Sequence, residues 1–151
     1  MKIAEALLKR KQLRDTMPRV ASRIAECAFY VGEVPEDNAE DELKKLVQMS
    51  KTYTKLVVDI NTTNMINAIE YKGEQISLMQ AIARRDSLKA TASMLDGIRV
   101  RTDAGYDGKR PIVLLSSRAI RNVSNGLARE ARELDTLLQQ ANWTLDLIEN
   151  E

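Results

Sequence analysis

Arg85 and Asp86 stand side by side in a chain with few other places to do chemistry. Arginine is a planar fork of five donors that holds a carboxylate or a phosphate through two bonds at once. Residues that would complete such a site lie far off in sequence. They are Asn61 and Asn64, the run Asn142-Trp143-Thr144 with Asp146 behind it, and Glu5 near the start. Read together they offer an anion fork, amides that orient a ligand, an indole face for stacking, and carboxylates to balance charge. Glu5, Asn61, Asn64, Arg85, Asp86, Asn142, Trp143 and Asp146 are therefore the candidate polar cluster or ligand-binding group. A plainer reading is preferred: polar side chains on apolar helix stripes fix register and oligomer order.

Other chemistries are closed by composition. The 151 residues include no histidine and one cysteine, Cys27. Ordinary zinc sites draw on several Cys and His ligands. Di-iron helical proteins use Glu-x-x-His. Ser-His and Cys-His catalysis needs the imidazole. No catalytic residues, metal ligands or cofactor are assigned, and the chain is not expected to be an enzyme. Glu130 and Glu133 read as one helix face, and Cys27 as a small core residue. A second basic set, Arg99, Arg101, Lys109, Arg110, Arg118 and Arg121 with Tyr106 among them, resembles a phosphate-binding patch. Asp96, Asp103 and Asp107 blunt it, so a solvated loop is favoured. A net charge of +1, with 30% charged residues of both signs, gives no strong nucleic-acid signal. No run reaches the roughly 18 apolar residues of a membrane span, and the N-terminus lacks a signal-peptide core. The expected location is the cytoplasm.

The elements that must position these residues are helices. Ile120, Val123, Leu127, Glu130/Ala131, Leu134, Leu137/Leu138, Ala141, Leu145 and Ile148 recur at steps of three and four, which predicts a long helix packed on others. A stripe from Ile3 to Cys27 predicts a first helix to about Phe29, interrupted by Pro18 but in register past it. A second stripe, Leu43, Leu46/Val47, Ser50, Tyr53, Val57, Ile60 and Asn64, predicts a helix from about Glu36 to Asn64. Ser77 with Gln80 three residues on is a capping box that opens a third helix, and Gly97 ends it. Ile69–Ile76 around Lys72-Gly73-Glu74 fits a small hairpin. Ile98–Leu115, with Asp103–Pro111 as a mobile tip, reads as a larger β-hairpin insertion. The expected fold is all-α in the main: one domain, an antiparallel coiled-coil-type bundle of four long helices with a hairpin inserted at 98–115. Up-down order would bring the polar cluster to one end of that bundle, with Glu5, Asp146 or Asp86 pairing with Arg85.

Four stretches also resemble a known family: Met1–Leu8, Ile60-Asn61-Thr62-Thr63-Asn64, Ile76–Asp86 with its Arg-Asp pair, and Asn142–Leu147 with its Asn-Trp-Thr run. In this order they are similar to small uncharacterised bacterial helical proteins, some labelled septicolysin. The resemblance implies a bacterial helical protein with no established activity. The functional expectation is a homo-oligomeric structural or protein-interaction module. The alternatives are a module binding a small anion or nucleotide at the polar end and, more weakly, a membrane-active toxin.

Overall fold

A computed structural model describes residues 1–150. Among the described residues are four helices, α1 (Ile3–Cys27), α2 (Ala39–Ile66), α3 (Leu78–Asp96) and α4 (Ser117–Thr144), and two strands, β1 (Ala68–Tyr71) and β2 (Glu74–Ser77). It forms two compact units: residues 1–67 with 141 onward, and residues 68–140.

In the first unit, α1 and α2 pack along one another. Ala6 near the start of α1 meets Leu56 and Ile60 late in α2, whereas Arg23 late in α1 pairs with Glu42 early in α2. The pair is therefore antiparallel. Asn38 starts α2 by accepting from the backbone N–H groups of Glu40 and Asp41, two of the orphan donors of a first turn. Pro18 lies within α1, which runs on without a break. Having no N–H, it leaves the Arg14 carbonyl without a helical donor. After Thr144 the chain becomes an extended tail that lies against the other two elements. Ile3 N donates to Leu145 O and Leu147 N donates to Met1 O. Leu147 joins Ala6, Leu56 and Ile60 in the core, with Leu7 and Leu13 against it. The expected continuation of the last helix to Ile148 is thus corrected: it ends at Thr144.

In the second unit, β1 and β2 pair antiparallel, Ile69 opposite Ile76 and Tyr71 opposite Glu74. Lys72 and Gly73 both take positive φ, 50° and 80°, the handedness of a two-residue hairpin turn. Ser77 closes β2 and caps α3, accepting from Gln80 N while Gln80 Oε1 accepts from Ser77 N. In α4, Ile120, Ser124, Ala131, Leu134 and Leu138 are buried. The expected stripe is met in part: Leu127 is half-buried, Val123 is exposed, and Ser124 is buried beside it. Its hydroxyl reaches Ala92 O at 3.1 Å and Asp96 Oδ1 at 2.6 Å, so α3 and α4 share a satisfied polar contact.

The insertion at 98–115 is corrected. The strand pair of this protein is at 68–77, and residues 98–115 form no strand. Pro111 has no ladder donor, and Arg99–Arg101 is too short a run to template a partner. Ile112 and Leu114 are instead 89% and 96% exposed. The tip is a tight local turn, with Gly108 N donating to Gly105 O and Lys109 N to Asp107 Oδ1.

Candidate functional site

Asp59 is the most committed polar residue of the first unit. It lies on the buried side of α2 with 2% of its side chain exposed. Its Oδ1 accepts from Asn150 N at 2.9 Å and Asn150 Nδ2 at 3.0 Å. Lys55, one turn back, stands 3.7 Å from Oδ2 and donates to Asn150 O. The Asn150 backbone bond holds the Asp59 carboxyl below its ordinary range against the opposing effect of burial, and the Asn150 amide and Lys55 add to it. Four residues on, Thr63 donates to Asp59 O and accepts from Ile148 N. One face of α2 thus clamps the tail.

At the start of α1, Lys2 gathers two members of the expected cluster. Its backbone N–H donates to Glu5 Oε2 at 2.7 Å. Its ammonium sits 2.9 Å from Asp146 Oδ1 and donates to Thr144 O. The Asp146 carboxyl is lowered by that Lys2 bond. Asn61 is exposed, Asn64 and Asn142 are half-buried, and Trp143 is exposed.

Arg85 and Asp86 belong to the second unit. Arg85 Nε and Nη2 hold Asp86 Oδ1, and Nη1 holds Asp135 Oδ1 at 3.0 Å. Lys89 completes the group at 2.7 Å from Asp135 Oδ2. Burial works against the charge on Arg85, but the bonds to Asp86 and Asp135 outweigh it and raise its pKa. Asp135 is lowered, first by Lys89. The expected pairing of Arg85 with Glu5 or Asp146 is corrected: those two acids serve Lys2, and Asp86 with Asp135 serves Arg85. Nearby in the same unit, Glu130 Oε1 accepts from Tyr71 Oη at 2.7 Å and from Lys72 Nζ at 2.8 Å. The Lys72 bond lowers Glu130, while burial and then Glu130 raise Tyr71. Glu130 therefore ties α4 to the hairpin, a role its spacing from Glu133 did not reveal.

These groups are saturated by one another. Carboxylates bonded to cations and amides, with lowered pKa values, are poor proton acceptors near neutral pH. Among the described residues no group of three Cys, Asp or Glu side chains is arranged to hold a metal ion. The first unit also has an apolar opening. Arg14, Met17, Pro18, Ala21, Leu46 and Tyr53 line a shallow groove of about 430 Å³ along α1 and α2. The sequence does not reveal it, because Leu46 and Tyr53 lie on the stripe that α2 is expected to bury. Pro18 was the available signal, since it sits at the groove wall.

The chain matches the family of unknown function DUF6847 over residues 10–147. It belongs to that family. A solved structure, described as that of a functionally unknown conserved protein from Corynebacterium diphtheriae, is similar to the chain with a TM-score of 0.82 and 25% identity. The likeness covers 98% of this chain and 99% of that one. No curated protein matches. The family is thus uncharacterised, as the resemblance implied; nothing in these likenesses bears on the septicolysin label.

Proposed function

We propose that this DUF6847 protein is a non-catalytic, cytoplasmic protein-interaction module that works as a homo-oligomer of helical bundles. The observation that carries this reading is surface area. The chain exposes 11,048 Å². A compact monomer of its 17.0 kDa exposes about 7,700 Å², and even two wholly separate compact bodies of half that mass expose about 9,300 Å². At least roughly 1,700 Å² per chain is thus in excess. A pair of chains covering it buries about 3,400 Å², inside the range of obligate dimers. Several large apolar side chains are exposed, including Phe29, Val31, Val34, Met94, Ile112 and Leu114.

An anion or nucleotide site at Arg85 is less well supported, because any ligand there competes with Asp86 and Asp135 for the guanidinium. A membrane-active role is weaker still. No helix among the described residues is long and apolar enough to cross a membrane, and release of liposome dye is its direct check. Sedimentation equilibrium at micromolar concentration tests the main reading. The expected result is a species heavier than 17.0 kDa that dissociates on dilution. A single species of one chain's mass at every concentration removes it.

A further inference from the structure

The connection between α3 and α4 differs in charge from the rest of the molecule. From Asp96 to Arg121 six cations, Arg99, Arg101, Lys109, Arg110, Arg118 and Arg121, stand against three acids, Asp96, Asp103 and Asp107, a net +3 in a chain whose total is +1. Two of the acids are engaged locally: Asp96 Oδ1 accepts from the Ser124 hydroxyl and Asp107 Oδ1 from Lys109 N. Among the described residues none of the six cations is ion-paired with a carboxylate. Arg99 turns its guanidinium to the carbonyls of Asp96 and Ile98. Arg99 and Arg121, with Ile98 and Ser117, line one opening of about 300 Å³, so cations from both ends of the connection converge. In the same stretch Ile112 and Leu114 are almost wholly exposed, and Val113, Leu115, Ile98 and Tyr106 are exposed too. Ile112-Val113-Leu114-Leu115 is thus an unbroken aliphatic run, in no helix or strand, left in water beside unneutralised positive charge.

We infer that this connection is a docking loop that holds the protein reversibly on a lipid surface rich in anionic headgroups. The charge is predominantly of one sign, so the partner is anionic. The exposed apolar groups then decide its class. Single-stranded nucleic acids are met by aromatic faces that stack on bases, and this stretch has Tyr106 alone. A folded protein must offer a fitted pocket to each free side chain, whereas the hydrocarbon beneath lipid headgroups accepts Ile, Val and Leu in any arrangement. Each half of the attachment is weak by itself. A basic residue close to an anionic surface improves partitioning about fivefold, and one inserted leucine about 10-fold or more. Joined on one segment, the two make an attachment that neither makes alone. Such docking needs no spanning helix and opens no pore. It is independent of the self-association proposed above and adds a partner to it.

Flotation of the full chain with vesicles tests the docking. Phosphatidylcholine vesicles with about one-third phosphatidylserine should carry the protein at low salt and lose most of it at high salt. Pure phosphatidylcholine vesicles should carry little. Lys109, Arg110 and Leu114 are all exposed, so changing them leaves the chain free to fold, which equal circular dichroism checks. Leu114→Ser should weaken vesicle binding about 10-fold, and Lys109→Gln with Arg110→Gln about 30-fold. In the wild type, the anionic vesicles should also shield Arg101 and Lys109 from trypsin. No flotation, equal flotation with both vesicle types, or Leu114→Ser floating like the wild type overturns the inference, the last because charge adhesion alone would then explain the binding. Tighter binding to single-stranded RNA than to vesicles, unchanged in Leu114→Ser, overturns it in favour of a nucleic acid. If Leu114→Ser instead lowers the sedimenting mass without lipid, the aliphatic run is a contact between copies, and this inference fails while the self-association stands.

Discussion

Asp59 shows how much one buried carboxylate can carry when each bond around it is placed. Its folded pKa is lowered, so in acid the unfolded chain takes up the proton first. Its contribution is present above the unfolded carboxyl value near 3.8 and drains away as pH falls through the lower folded value. Asp59→Asn should flatten the acid limb of the stability curve. At neutral pH it should cost about 1–3 kcal/mol, the penalty for leaving buried donors unmet. A urea series from pH 7 to pH 3 measures both, and an unchanged acid limb would mean that the Asp59 charge adds nothing to holding the tail. Arg85→Ala should cost about 1–2 kcal/mol, below the 3–5 kcal/mol of a fully buried pair, because Asp135 keeps Lys89 and the network is partly wet. Chemical denaturation at neutral pH checks it, and Arg85→Lys should recover only part. In the sequence, Asp86 was legible as a partner because it is adjacent. Asp135 was not, because fifty residues of chain intervene and only α3 lying beside α4 joins them.

Caps and turns account for which elements could be read in advance. The Ser77–Gln80 box, the Gly97 stop and the Lys72-Gly73 turn are local devices, complete within a few residues, and each stands where its spacing put it. The strand at Ile112–Leu115 depended on a distant partner that does not form. The stripe of α2 is met in part: Ile60 is buried and Leu46, Tyr53, Val57 and Asn64 are half-buried, whereas Leu43 and Ser50 are exposed and Leu56, Asp59 and Thr63 are buried off it. Leu43, Leu46, Val47, Val57 and Val58 surround the helix, so the apolar pattern does not choose a face, and the Asp59–Thr63 side won through its bonds to the tail. The segment between α3 and α4 remains the natural point of attack. Lys109 sits in an exposed turn, whereas Pro111 shields the bond after Arg110. Brief trypsin treatment should cut first after Lys109 or Arg101. The two pieces should stay together on gel filtration, because Lys2–Asp146 and Asp59–Asn150 join segments on opposite sides of the cut. An earlier cut within α2 would show that the helix pair opens more readily than the loop.

For the molecule as a whole, the division into units sets an order of assembly. The second unit is one continuous stretch of chain, residues 68–140, whereas the first is made from both flanks of it. On the ribosome the N-terminal flank emerges first yet lacks the strand of tail that Asp59 and Thr63 await. It must wait while more than seventy residues are made, and closing a loop of that length carries an entropic cost that local contacts escape. The continuous unit can close as soon as its own last helix turns are out. During that interval the half-covered helix pair displays its apolar face to every neighbouring nascent chain on the same message. If copies pair as proposed, chains made side by side on one polysome would meet while that face is open, and pairing would be favoured during synthesis.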